Sequence, residues 1–325
     1  MKAKWIFVLW IGLVAAVLST NDCFSAERGQ VKVHSPSFDI SVIPLYVAKD
    51  KGYFDEEGLD ATFVLAADNI GIQALIAGEF DFSASATGAS RASARNIPLK
   101  VVLAHTFRPA FWIYTRENIK PAELKGKKLA ISSFGGLSHA LARLALRKFG
   151  LDPERDVVMV AAGTTDMRFA ALHSGTVDAA VLNAPGKFKA KKAGFNEVLF
   201  VGEEIFGLSG GVATTAKMIE TRPESVQKFV TAALKGHKYF LTSRDGSIPV
   251  MVKYMKIDSG MAKELYETTI QTFTADGTIG EEIMRSEAQL QASVMNLKEV
   301  PPPDRVFDMS FTRKANQRLK NWKPQ

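Results

Sequence analysis

Residues 43–85, IPLYVAKDKGYFDEEGLDATFVLAADNIGIQALIAGEFDFSAS, constrain the fold more than any other part of the chain. Pro44 suits the first turn of a helix, where its missing N–H has no partner to lose. Leu45, Val47 and Ala48 give that helix a short apolar face, and Gly52 ends it. Gly58 closes a further turn at residues 55–57. Leu59, Ala61, Phe63 and Leu65 then recur at the strand period of two. Asp68 or Asn69 can cap the next helix, Gly78 can close it, and residues 80–85 read as another strand. Helix, strand, helix, strand with short connections is the order expected of an α/β sheet.

Part of this unit occurs twice. Ala74-Leu75-x-x-Gly78-x-x-Asp81 returns as Ala171-Leu172-x-x-Gly175-x-x-Asp178, and Gly58-Leu59-Asp60 returns as Gly150-Leu151-Asp152. Chance reuse of glycine at helix ends would give single matches. The shared order of both pieces points to two similar lobes.

The run from Pro44 to Asp60, PLYVAKDKGYFDEEGLD, followed by ALIAGEFD ending at Asp81, resembles a family of ABC-importer periplasmic solute-binding proteins. This is the nitrate/sulfonate/taurine and pyrimidine-precursor (thiamine-biosynthesis-like) type. LKGKKLAI, ending at Ile131, resembles the start of that family's second lobe, and the likeness covers residues 31–215. It implies an α/β, two-lobed periplasmic binding protein of type II. Each lobe would be a mixed sheet flanked by helices, with a helical C-terminal region. The expected division is residues 31–114 for lobe one and 121–206 for lobe two. Residues 210–300 would return to lobe one and add helices, and residues 301–325 would form a tail. The chain would cross between lobes near residues 115–120 and 206–211. The resemblance further implies a monomer that binds a small-molecule ligand and docks on an ABC permease in the inner membrane, with no cofactor.

The amino terminus agrees with export. Lys2 and Lys4 precede an apolar run at residues 5–18, shorter than the roughly 20 residues a membrane span needs. That is the pattern of a secretory signal peptide, residues 1–26, cleaved near Ala26 to leave a periplasmic protein. Cys23, the only cysteine, follows Thr20, Asn21 and Asp22, unlike a lipid-anchor site. It departs with the leader, so neither a disulfide nor thiolate chemistry is expected afterwards. The net charge of +7 changes little on cleavage. This modest basicity suits an anionic ligand and suits plain solubility equally. Lys187, Lys189, Lys191 and Lys192 read as a solvated helix face near a C-terminus. No aromatic interleaving or nucleic-acid motif accompanies them, so no nucleic-acid partner is expected.

Catalysis finds little support. His34, His105, His139, His173 and His237 are scattered, without H-E-x-x-H spacing or a second ligand nearby, so no metal site is read. His139 alone follows a candidate ligand loop. Asp81 and Asp178 hold equivalent positions in the two lobes, which favours structural roles over an acid–base pair. There is no G-x-S-x-G turn and no phosphate-binding loop. No catalytic residue is assigned.

In open α/β sheets ligands bind beyond the carboxyl ends of the strands. That rule selects Ser35 and Phe38, Asn69, and Ser85, Thr87 and Gly88 in lobe one. In lobe two it selects Ser133, Phe134 and Gly135, Thr164 and Thr165, and Asn183. Helix N-termini in these loops favour negative charge, and the phenylalanines would cover an apolar part. The small, hydroxyl-rich SASATGAS segment suits a tightly packed turn as well as a ligand. The expected function is the substrate-binding protein of an ABC-type importer. It would take a small organic anion, sulfonate- or carboxylate-like, or a heterocycle such as a pyrimidine. Two other readings stand. One is an enzyme on the same fold, of pyrimidine-precursor or menaquinone-pathway type, although the synthases' Cys-rich iron motif is absent. The other is a ligand-sensing subunit for a membrane receptor.

Overall fold

The computed structural model describes residues 28–295 and 297–324. The expected signal peptide, its cleavage point and Cys23 lie outside the described residues. Ten strands form two sheets. They are β1 (Gly29–Ser35), β2 (Leu59–Leu65), β3 (Phe82–Ser83), β4 (Leu99–Ala104) and β5 (Phe111–Thr115), then β6 (Lys128–Ile131), β7 (Val158–Ala161), β8 (Ala179–Asn183), β9 (Asn196–Phe200) and β10 (Gly211–Thr215). The first sheet runs β2-β1-β3-β10-β4 and the second β7-β6-β8-β5-β9. In each, the fourth strand is antiparallel to both neighbours while the first three are parallel.

The sequence repeat is a structural repeat. Gly78 and Gly175 both end a helix in the left-handed region, at φ 82° and 81°, where a side chain would be strained. Three residues later, Asp81 Oδ2 accepts the N–H of Lys32 at 2.9 Å, and Asp178 Oδ2 accepts that of Lys128 at 2.8 Å. Each aspartate returns its own N–H to the carbonyl of that lysine. The pair therefore pins Lys32 in the middle of β1 and Lys128 at the start of β6, the structural role read from their equivalence.

Three expectations are corrected. Residues 111–114 were assigned to lobe one, but β5 pairs with β8 and β9 in the second sheet. The run FWIYT is a buried strand in either lobe, and only its partners 64 or more residues away place it. The first crossing consequently lies at residues 105–110 rather than 115–120. The tail is no tail: helix Ser310–Arg318 packs on helix Pro223–Thr242 and buries Phe311, Ala315 and Leu319. Its apolar stripe, at i, i+4, i+8, is diluted by charged neighbours. Prolines at residues 301–303 disfavour helix, yet Pro303 opens a short one, Pro303–Val306, where its missing N–H has no partner to lose.

Helix Pro223–Thr242 anchors lobe one. Phe229 stacks on Phe82 at 3.9 Å between ring centroids, and the helix lies along helix Ile43–Asp50. Gly236 makes that approach close: a Cβ there would fall 2.3 Å from the carbonyl oxygen of Pro44. Among the described residues, no helix is long and apolar enough to cross a membrane.

A candidate ligand site between the lobes

The two crossings, residues 105–110 and 205–210, run side by side. His105 N–H donates to Gly210 O at 3.0 Å, and Gly207 N–H to Phe107 O at 3.1 Å. Thr106 Oγ1 accepts the N–H groups of Ser209 and Gly210 at 3.2 and 2.9 Å. Phe107 and Phe206 stack across the pair, centroids 6.2 Å apart. The Arg108 guanidinium lies 5.2 Å from each of those rings, a cation–π arrangement that fixes its position.

Beside Arg108 is a cavity of about 430 Å³. Lobe one contributes Phe38, Asp39 and Thr272 to its wall, and lobe two contributes Phe111, Leu137 and Asn183. Arg108 Nε is buried without a hydrogen-bond partner, and among the described residues the guanidinium joins no ion pair. Among the described residues, the wall therefore carries a cation without an ion-pair partner. Asp39, the one carboxylate on the wall, is already engaged. It accepts from Ser41 N at 2.8 Å and from the hydroxyls of Ser37 and Ser41. Asn183 Oδ1 is buried and unpartnered, leaving one acceptor free for a ligand donor.

Of the twelve residues selected from sequence, Phe38 and Asn183 border this cavity. Phe38 packs on Tyr46 and Tyr254 at 5.2 and 5.8 Å. The other ten lie off its wall. Ser35 is buried and donates to Ser37 O at 3.1 Å, while Asn69 is exposed in the first turn of helix Asp68–Ala77. Ser85 caps helix Ala86–Ala94 by accepting from Gly88 N–H at 3.0 Å, and Thr87 Oγ1 donates to Leu208 O at 2.9 Å. A Cβ on Gly88 would meet Asp68 Oδ1 at 2.6 Å. The protein's own carboxylate thus stands over the helix start expected to attract an anion. In lobe two, Ser133, Phe134 and Gly135 form an exposed loop. Its Gly135 N–H donates to His139 Nδ1 at 3.0 Å, and burial lowers the pKa of that imidazole, favouring its neutral form. Thr164 caps helix Thr165–Ser174, and Thr165 Oγ1 accepts from Arg168 at 2.9 Å.

Arg108 escaped the sequence reading. Its signal was slight: one arginine, between Phe107 and Pro109, in the mainly apolar stretch 101–114 that also holds His105 and Thr106. Among the described residues, no group of three or more His, Cys, Asp or Glu gathers to hold a metal ion.

The family profile described as "NMT1/THI5 like" matches residues 39–246. The chain belongs to the NMT1/THI5-like family. This family member is similar to the riboflavin-binding protein RibY of Chloroflexus aurantiacus, 26% identical over 228 residues, 67% of this chain. The match spans 64% of RibY, slightly under two thirds of its length. Its fold is that of the periplasmic sulfonate-binding protein SsuA of Methylobacillus flagellatus, with TM-score 0.76, 17% identity, and 92% and 98% of the two chains covered. The desulfurization enzyme DSZB, solved with biphenyl-2-sulfinic acid, shares the fold at TM-score 0.67 and 14% identity, covering 90% of this chain and 99% of its own. Both likenesses concern fold alone, and fold does not separate binding from catalysis.

Proposed function

We propose that this NMT1/THI5-like protein is the exported, periplasmic substrate-binding component of an ABC-type importer. It captures a small organic anion between its lobes and presents the closed form to a permease. One observation carries the anion reading: the half-buried guanidinium of Arg108, its Nε fully buried without a hydrogen-bond partner, on the wall of the interlobe cavity. A partly desolvated cation without an ion-pair partner is stabilised by a group of opposite sign. A sulfonate or carboxylate supplies that partner with charge-assisted hydrogen bonds. Asn183 Oδ1 would take a donor from the same ligand.

Closure would proceed by rotation about residues 105–110 and 205–210. That movement would carry the loops at Ser133–Gly135 and Thr164 toward lobe one. Among the described residues, the cavity wall offers no histidine, cysteine or lysine, and Asp39 is held by three hydrogen bonds. These facts favour binding over catalysis.

A calorimetric screen of sulfonates, carboxylates and pyrimidines tests the reading. At least one anion should bind, and Arg108→Met should weaken it about 10- to 100-fold, the value of a hydrogen bond to a charged group. A neutral heterocycle bound equally by wild type and variant would defeat the anion reading.

A further inference from the structure

A second space adjoins the Arg108 cavity. It is a groove of about 670 Å³ between helix Ala184–Lys192 of lobe two and helices Arg244–Met255 and Ser259–Thr269 of lobe one. The two spaces share Ala184, Pro185, Met255 and Ile257 as walls. Beyond that shared wall the groove is lined by Phe188 and Met261. Two of its three lysines are paired, while Lys192 is exposed at its wall without an ion pair among the described residues. Lys189 pairs with Asp166 at 2.7 Å, and Lys191 pairs with Glu264 at 2.6 Å, from lobe two to lobe one.

The site is therefore divided by chemistry. The inner cavity offers a free cation and an amide oxygen; the adjoining groove offers apolar surface. The groove alone is large enough for a drug-sized body, within the roughly 300–1,000 Å³ usual for such sites. A compact anion on Arg108 would leave it unused. Methionine walls adapt to apolar bodies of different outline.

We infer that the ligand is an amphiphilic anion, with a sulfonate or carboxylate head on Arg108 and an aromatic or branched hydrocarbon body lying against Phe188 and Met261. This rests on the anion reading above and narrows its ligand class.

The test is calorimetric titration of the mature protein with three probes that share one head: methanesulfonate, 1-octanesulfonate and 2-naphthalenesulfonate. Each methylene removed fully from water strengthens binding about fourfold, from about 0.8 kcal/mol. The two larger probes should therefore bind at least ~30-fold more tightly than methanesulfonate. Met261→Ser should weaken the larger probes by about 5- to 10-fold and leave methanesulfonate unchanged. Phe188→Ala should do the same and guards against a local effect at Met261. Arg108→Met should weaken all three. Equal affinity for the three probes, unmoved by either groove variant, overturns the inference and leaves the anion reading intact. No binding of any probe, or binding indifferent to Arg108→Met, overturns both.

Discussion

Glu287 Oε2 accepts the backbone N–H of Leu208 at 2.9 Å, tying helix Glu281–Met295 of the C-terminal region to the second crossing between the lobes. The other oxygen accepts from Gln291 Nε2, also at 2.9 Å. The carboxyl group is fully buried at the point about which lobe rotation would occur.

Burial pushes the Glu287 carboxyl up to about 7, against the opposing pull of its hydrogen bonds. A folded pKa above the unfolded value means that the native state binds the extra proton between them. The contribution to stability is then complete below about 4.5 and is lost as pH rises through about 7. Glu287→Gln should remove this loss, gaining on the order of 1–3 kcal/mol over wild type at pH 8 and little at pH 4.5. Calorimetric unfolding of both proteins across that range checks it. Parallel pH profiles would mean that Glu287 is charged throughout.

The histidine pair runs the other way. His105 Nδ1 and His237 Nδ1 are 3.1 Å apart, and His237 Nε2 is 2.8 Å from Thr274 O. Complete burial holds His105 well below the usual imidazole range and brings His237 down to about 4. Depressed folded values contribute stability that is present above about 6.5 and lost as pH falls toward 4. Two-dimensional NMR should show both rings neutral at pH 5.5. A ring titrating near 6.5 in the folded protein contradicts this placement.

Gly236→Ala sets helix propensity against packing. Alanine gains about 1 kcal/mol of propensity within a helix. Here its methyl would meet Pro44 O at 2.3 Å and Ala48 Cβ at 2.7 Å. Overpacking of that kind costs about 1–3 kcal/mol, so the urea midpoint should fall. A midpoint equal to wild type or higher would show that the two helices separate freely.

The C-terminal helix should behave as core. Leu319 is 6% exposed and joins the main apolar cluster of the described residues. Leu319→Ala should cost about 2–5 kcal/mol, while the exposed neighbour Lys320→Ala should be neutral within about 0.5 kcal/mol. Equal stability of the two variants in a denaturant titration would restore the reading of residues 301–325 as a passive tail.

The features legible in the sequence are those written in short-range chemistry. Strand period two at Leu59–Leu65, the left-handed stops at Gly78 and Gly175, and the recurring Asp81 and Asp178 each act within one supersecondary unit. Their local pattern was enough to show two related α/β lobes. The ligand loops were legible as loops only. Whether the Ser85 and Thr87 hydroxyls remain free depends on Gly88 N–H and Leu208 O, and the latter is 121 positions along the chain.

What the sequence determined by itself was the kind of lobe, its repetition and the family, because helix caps, strand alternation and turn glycines act between near neighbours. Tertiary structure decided which sheet received Phe111–Thr115, because strand pairing with Ala179–Asn183 is chosen by contacts far along the chain. It also decided where the unpaired cation stands. An arginine is unpaired only when no carboxylate reaches it, and that is decided in space: Arg108 lies between two phenylalanines on separate crossings, and Asp39 is turned to Ser37 and Ser41.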